Sequence, residues 1–168
     1  IEQQGSAKIT NYGQYLSLFE PEYEIEIHEN SSWSCVHGVE RWRSNCGCHT
    51  GGEGSWHQKW RAPLRDALDF IREKMIKVYE EQMAGLTDDP WKVREEYISV
   101  VMDRSKANIR KFLNKHTSHT LNENEKTKFM RMLEMQRHAH LMYASCGGFF
   151  NDISGMETLQ VLQHASRS

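Results

Sequence analysis

The sequence has no long hydrophobic run, no excess of charge and few cysteines, and each shortage argues against a class of protein. No apolar stretch approaches the roughly 20 residues that a membrane-spanning helix needs. The 21 Lys and Arg nearly balance the 23 Asp and Glu, so the net charge of −2 offers no basis for binding nucleic acid or an anionic membrane. Four cysteines in 168 residues are too few for a disulfide scaffold, which favours a reducing, cytoplasmic location.

The sequence also lacks the motifs of common enzyme classes. It contains no Gly-rich phosphate loop after a strand, no Gly-x-Ser-x-Gly elbow and no His-Glu-x-x-His pair. Its polar N-terminus is unlike a signal peptide. Because the first methionine is Met75, we expect the chain to be a piece of a longer protein. A function argued from this chain is then part of a larger one.

Helical periodicity begins at Trp60. Apolar residues from Leu64 to Tyr79 recur at spacings of three and four, Pro63 is tolerated in a first turn, and Gly85 is a typical stop. The pair Asp89-Pro90 suits a cap and a first helical position, and helical spacing continues to residue 113. These patterns predict at least two helices in the first half of this region.

The remaining third of the chain has the same character. We expect a long helix from about Asn124 to Cys146, ended by Gly147-Gly148, and a last helix opened by a capping box of Ser154 and Glu157. Helices joined by short links form an antiparallel bundle. The sequence therefore predicts an all-α fold with little or no β structure.

The first 58 residues divide into a lead-in segment and a loop. Residues 1–28 are expected to end a preceding region, with a short helix within 9–19 and a half-buried extended segment at 23–27. Residues 29–168 are then a single domain. Its first part, 29–58, lacks periodicity but holds three of the four Cys and three of the five Trp. Because disordered segments are poor in aromatics, we expect a long ordered loop.

Thiol and imidazole groups in this loop suggest zinc, for which they are preferred ligands. The candidate metal ligands are Cys35, Cys46, Cys48 and Cys146, with a His as a further possibility. One residue separates the members of Cys35-x-His37 and of Cys46-x-Cys48, which is closer than the usual spacing of paired ligands. A disulfide, buried free thiols and a nucleophilic Cys with His37 or His49 as its base remain open alternatives. No cofactor other than zinc is expected.

Aromatic and planar polar side chains of the loop are also those of a sugar pocket. Indole rings cover the C–H faces of a sugar while charged and amide groups bond its hydroxyls. Alternatively, the Trp side chains pin the loop to the bundle, and the polar helix residues fasten it. The candidate substrate-binding residues are Trp33, His37, Glu40, Arg41, Trp42, Trp56, Trp60, Gln136 and His140. No catalytic residue is expected in this chain.

Four runs of residues have the length and character of family motifs: 29–48 (Glu29 to Cys48), 60–65 (Trp60 to Arg65), 133–138 (Leu133 to His138) and 145–155 (Ser145 to Gly155). They resemble the motifs of an uncharacterised helical domain that follows the catalytic barrel in bacterial proteins like those of glycoside hydrolase family 57. The resemblance extends from about Tyr12 to the C-terminus, with Gly148 where an aromatic residue is expected.

The resemblance implies a non-catalytic accessory domain of a glycosidase or glucanotransferase. The two catalytic carboxylates would lie on the preceding barrel of the same polypeptide, and this domain would help form a cleft for an α-glucan-type oligosaccharide. Two alternatives remain open: a purely structural docking domain and a Cys/His metal-binding module. Neither nucleic acid nor a membrane is an expected partner.

Overall fold

A computed structural model describes residues 5, 7–32, 34–49 and 51–168, and over these residues the chain is helical and contains no strand. The predicted all-α fold is confirmed. The chain divides into two compact units, residues 1–31 and 32–168. Trp33, one of the predicted binding residues, lies outside the described residues.

The first unit contains one short helix, α1 (Tyr12–Leu18), which Asn11 caps by accepting a hydrogen bond from the backbone N–H of Gln14 at 2.9 Å. The half-buried extended segment predicted for 23–27 is wrong. Its apolar side chains are exposed, with Tyr23 at 88%, Ile25 at 87% and Ile27 at 75%. Alternating apolar and acidic residues pair into a sheet only where a neighbouring strand completes it, and no strand occurs among the described residues.

The second unit begins with the loop, which contains one turn of helix, α2 (Glu40–Arg43), and leads into α3 (Arg61–Met83). The sequence predicted the limits of α3 well. Pro63 lies in its first turn, where a missing N–H costs nothing, and Gly85 follows its end in the left-handed conformation, with φ of 77°. α3 buries Leu68, Tyr79 and other apolar residues of the predicted stripe.

Three short helices follow: α4 (Pro90–Glu96), α5 (Ile98–Met102) and α6 (Lys106–His116). The side chain of Asp89 caps α4 as predicted, by accepting from the N–H of Lys92 at 3.0 Å. The expected continuation to residue 113 is interrupted between α5 and α6. There, Asp103 accepts from the N–H of Ser105, and Ser105 in turn caps α6. Short polar side chains offer the backbone these alternative partners and so end one helix and start another.

The second long helix is α7 (Glu123–Leu141), and its capping box of Asn122 and Glu125 uses both reciprocal hydrogen bonds, at 3.0 and 2.8 Å. α7 ends before Cys146, where we had expected it to end, and Gly147-Gly148 lies inside a further short helix, α8 (Cys146–Phe149). These two glycines permit close packing instead of ending a helix. An added Cβ would lie 2.3 Å from Val161 at Gly147 and 2.8 Å from the Trp42 carbonyl at Gly148.

The last helix is α9 (Met156–Arg167). The predicted capping box of Ser154 and Glu157 is wrong, because Gly155 is the N-cap and no side chain caps the helix. Ser154 instead directs both its N–H and its hydroxyl to the carboxylate of Asp152. The side chain of Asp152 thereby occupies the hydroxyl that would otherwise cap the helix.

The core forms where α3 packs against α7 and where α7 and α8 pack against α9. The larger of two buried clusters contains side chains from all the helices α3 through α7. The smaller consists of Leu68, Met142 and Val161. Among the described residues, none of the helices has both the length and the hydrophobicity required to span a bilayer.

The carboxylate of Glu134 links α7 to the junction between α4 and α5 and to the connection between α5 and α6. It accepts hydrogen bonds from the Tyr97 hydroxyl at 2.6 Å, from Arg104 at 2.7 Å and from Arg137 at 3.3 Å. Burial raises the pKa of Glu134, but these donors outweigh it and leave the pKa below its ordinary value. The ionised carboxylate therefore stabilises the folded state.

We predict that Glu134→Gln lowers the free energy of unfolding by about 1–2 kcal/mol at neutral pH, since the partly solvated site screens the lost charge-assisted bonds. Because the folded-state pKa is depressed, this contribution is complete above the ordinary value of 4.5 and is lost as pH falls through the folded-state pKa. Urea titrations at several pH values measure it. Glu123→Gln, at a side chain that is 89% exposed, is the control and should change stability little. An equal difference between wild type and Glu134→Gln at all pH values would contradict the prediction.

Candidate functional site

The described residues of the loop that belong to the second unit, from residue 32 to the start of α3, are held on the helices by a buried guanidinium. Arg61, the first residue of α3, is 1% exposed. Its Nη1 donates to the Ser44 carbonyl at 3.2 Å and to the Gln58 side chain at 3.0 Å, both in the loop. Its Nη2 donates to the carbonyls of Phe149 and Phe150, at 3.0 and 3.2 Å, where α8 ends. Arg61 thus joins the loop, α3 and α8, and burial lowers its pKa from the ordinary value.

A second set of bonds centres on Gln58 and Asn151. Gln58 is 3% exposed, and its Nε2 donates to the Cys48 carbonyl at 2.6 Å and to the Asn151 side chain at 3.0 Å. The indole N–H of Trp60 donates to the Asn151 carbonyl at 3.0 Å. Trp60, predicted as a substrate-binding residue, therefore fastens the loop to the segment after α8. This contact agrees with the alternative interpretation, in which indoles pin the loop.

The one-turn helix α2 has the same role. Arg41 is 2% exposed, donates to the Cys48 carbonyl at 2.6 Å and lies 4.3 Å from the centre of the Phe149 ring. Trp42 is partly buried, and its backbone lies so close to Gly148 that a larger residue there would collide with it. Two predicted binding residues thus contact protein groups, and the close approach of the Trp42 backbone favours a glycine at position 148.

Beside this anchor lies a compact cluster of three cysteines and a histidine: Cys35, His37, Cys46 and Cys48. The Nδ1 atom of His37 is 3.3 Å from the Cys35 sulfur and 3.4 Å from the Cys48 sulfur. Cys35 Sγ lies 3.6 Å from Cys48 Sγ and 3.9 Å from Cys46 Sγ. All four ligand atoms lie within 4.8 Å of one another, so one ion can contact all of them.

The cluster differs from the predicted metal ligands in one member. Cys35, Cys46 and Cys48 come together as the sequence suggests, and the fourth group is His37, the kind of ligand that the sequence left open beside Cys146. Cys146 is an exposed free thiol at the start of α8 and is not in this group. His37 had been predicted to contact sugar, whereas the structure places its Nδ1 against two sulfurs.

The surroundings of Cys46 and Cys48 shift the pKa values of their thiols in opposite directions. Burial raises the pKa of Cys46, but hydrogen bonds from the Cys48 backbone and Cys35, together with the Arg61 guanidinium, outweigh it and lower that pKa overall. The hydrogen bond with Cys35, burial and the neighbouring sulfurs raise the pKa of Cys48. Close sulfurs therefore resist ionising together unless a cation lies among them.

The loop also encloses a crevice of about 260 Å³ between its later residues and Asn151. Trp56 is 49% exposed there, and Gly52, with φ of 110°, lies under its ring, where an added Cβ would be 2.7 Å from the indole. The described lining residues contain no Lys or Arg. They are Asn45, Gly47, His49, Gly51, Gly52, Glu53, Gly54, Trp56, His57, Gln58 and Asn151.

The other predicted binding residues lie apart from the crevice. Glu40 pairs with Arg43 at 2.6 Å, and hydrogen bonds with Ser44 and Arg43 lower its pKa. Gln136 is buried in α7, and His140 lines a separate groove beside α4 and α5. Burial lowers the pKa of His140. Of the predicted residues that the structure describes, Trp56 is the one that lines the crevice.

Sequence reasoning missed the buried polar anchors Arg61, Gln58 and Asn151. Charged and amide residues are usually exposed, so their type gave no sign of burial. A weaker signal was present: Arg61 and Asn151 both fall within the motif runs 60–65 and 145–155.

A family model for a domain of unknown function, DUF3536, matches residues 56–168, which is more than half of the chain. The chain belongs to this family. The DUF3536 match contains α3 to α9 together with Arg61 and Asn151, and it begins after the thiol cluster. No curated protein and no solved structure matches the chain.

We predict that Arg61→Met loosens the loop. Methionine fills similar space but leaves four acceptors without a donor, so the free energy of unfolding should fall by about 3 kcal/mol. Limited proteolysis should cut residues 44–58 faster, while urea unfolding reports the stability loss. Arg110→Met, at an exposed position of α6, is the matched control and should leave both unchanged. Equal cleavage of the two variants would show that Arg61 does not hold the loop.

Proposed function

We propose that this chain is a non-catalytic accessory module whose loop binds a neutral, hydroxyl-rich ligand such as an oligosaccharide. The observation that carries the proposal is the crevice around Trp56. A half-exposed indole there adjoins amide, imidazole and carboxylate groups and glycine backbone. These are the groups that a sugar requires on its C–H face and around its hydroxyls.

The charge of the crevice restricts the ligand class. Among the described lining residues, Glu53 is the one carboxylic acid side chain, and Lys and Arg do not occur. Phosphorylated ligands and nucleic acids favour Arg, Lys or helix N-termini, which this lining does not offer. A volume of about 260 Å³ is near the small end of ligand pockets, so the crevice suits one or two sugar rings or the end of a longer chain.

The resemblance to domains of family 57-like glycoside hydrolases supplies the proposed context. In that context the chain adjoins a catalytic barrel of the same cytoplasmic bacterial polypeptide, and the barrel carries the two carboxylates that act on an α-glucan. The long motif runs 29–48 and 145–155, on which the resemblance rests, include the cysteine cluster and the Asn151 anchor.

A second candidate function is docking without ligand contact. The segment from 153 to 162 exposes four large apolar side chains: Ile153 at 44%, Met156 at 74%, Leu159 at 49% and Leu162 at 41%. Apolar side chains grouped on a surface favour contact with a neighbouring domain. In this alternative the domain covers the apolar surface of the barrel, and the crevice binds no ligand.

We predict that Trp56→Ala weakens the affinity of the chain for a malto-oligosaccharide at least tenfold, because it removes the stacking surface. Isothermal titration or the change in tryptophan fluorescence measures the affinity. Phe70→Ala is the matched control, since Phe70 is 62% exposed on α3 and does not line the crevice. In the parent protein, Trp56→Ala should raise KM for the glucan. Wild-type affinity and turnover in Trp56→Ala would refute the crevice and favour docking.

A further inference from the structure

We propose that Cys35, His37, Cys46 and Cys48 bind one zinc ion as a closed, structural site. This inference is independent of the ligand of the crevice. It rests on the spacing of four ligand atoms, on the conformation of the backbone between them and on two buried arginines that require negative charge nearby.

The distances agree with tetrahedral zinc. Zn–S bonds of about 2.3 Å and Zn–N bonds of about 2.0–2.1 Å at tetrahedral angles place sulfurs about 3.8 Å apart and a sulfur about 3.6 Å from a nitrogen. The cluster has sulfur separations of 3.6 and 3.9 Å and sulfur–nitrogen separations of 3.3 and 3.4 Å. An ion at the centre therefore requires shifts of only a few tenths of an ångström for these pairs.

The backbone explains how ligands two positions apart reach one ion. Gly47, between Cys46 and Cys48, has φ of 82°, and Gly38, directly after His37, has φ of 61°. Glycine adopts this left-handed conformation without steric cost, so the chain can turn sharply at each pair. The close spacing that weakened the zinc interpretation of the sequence is thus compatible with one site.

Two buried cations beside the cluster provide an independent argument. Arg41 and Arg61 are 2% and 1% exposed, and neither pairs with a carboxylate in the part of the chain that the structure describes. Buried charges persist when an opposite charge compensates them. Three thiolates and Zn²⁺ carry a net charge of −1, and Arg61 Nη1 lies 3.6 Å from Cys46 Sγ. The zinc site would supply much of the missing negative charge.

The four ligand atoms determine which metal binds and whether the ion is structural or catalytic. Three thiolates and an imidazole are soft ligands that suit zinc and not calcium or magnesium, which prefer oxygen. Four protein ligands leave no open coordination position, so the ion is structural. A disulfide is a poorer account, because bonded sulfurs lie about 2.05 Å apart, and it would remove the charge that the arginines need.

Elemental analysis of the purified full chain tests the proposal. We expect about one zinc per chain in the wild type, and less than a tenth as much in Cys46→Ser. Cys146→Ser is the matched control, because it removes an exposed thiol that is not in the cluster, and it should retain the metal. Iron in place of zinc, or less than a tenth of an equivalent of zinc after incubation with zinc chloride, would overturn the proposal.

Cobalt substitution keeps the test decisive if the serine variant does not fold. Wild-type chain loaded with Co²⁺ should show intense visible bands of tetrahedral coordination and a near-ultraviolet band from thiolate ligands. His37→Gln should weaken Co²⁺ binding at least tenfold, while His49→Gln, at a histidine outside the cluster, should match the wild type. Weak octahedral bands without a thiolate band in the wild type would contradict the site.

Discussion

The buried Arg61 guanidinium is the interaction on which the arrangement of the loop depends. Apart from α2, the described part of the loop has backbone N–H and C=O groups that no helix or sheet satisfies, and burial without partners would cost free energy for each of them. Arg61 donates to carbonyls on both sides of the interface: Ser44 in the loop, and Phe149 and Phe150 at the end of α8. Gln58 and Asn151 extend the same network. The loop is therefore ordered by polar contacts that converge at the start of α3.

The charge of this network links it to the thiol cluster. Two guanidiniums without carboxylate partners among the described residues destabilise a protein interior unless anionic groups lie close. The proposed zinc site provides these groups within hydrogen-bonding reach of Arg61 and fixes both pairs of ligands in the loop. The crevice residues begin at Asn45, directly before Cys46, and continue to Gln58, so the metal and the arginine would together determine the shape of the ligand surface.

Local sequence signals predicted the helix ends best at positions where the residue acts only on its own backbone or on the nearest turn of the helix. Pro63, Gly85 and Asp89 lie where their backbone and capping preferences predict. The prediction failed at residues that can either end or cap a helix or contact a neighbouring group. Gly147 and Gly148 suggested a helix end but serve close packing against Val161 and Trp42, and the Ser154 hydroxyl is bound to Asp152 instead of capping α9. Which role such a residue has depends on tertiary neighbours that are distant in sequence.

The candidate site was less accessible to prediction for the same reason. Composition identified the loop and three of its clustered thiols and left a His open as a further ligand, but it did not single out His37, since the turns at Gly38 and Gly47 depend on backbone conformation. The proposed sugar contacts remain a prediction, with Trp56 at the crevice and Arg41 and Trp60 engaged elsewhere. Burial of Arg61, which decides how the loop packs, could be recognised only from the folded structure.

The central claim is that a buried polar and metal centre holds the loop on the bundle, and that the bundle itself stays folded without the metal. Hydrogen exchange of the full chain with and without a zinc chelator is its most direct test. The account predicts that chelation accelerates exchange in residues 35–58 while the central turns of α3 and α7 keep their protection. Unchanged exchange in the loop, or equal loss of protection in loop and helices, would contradict it.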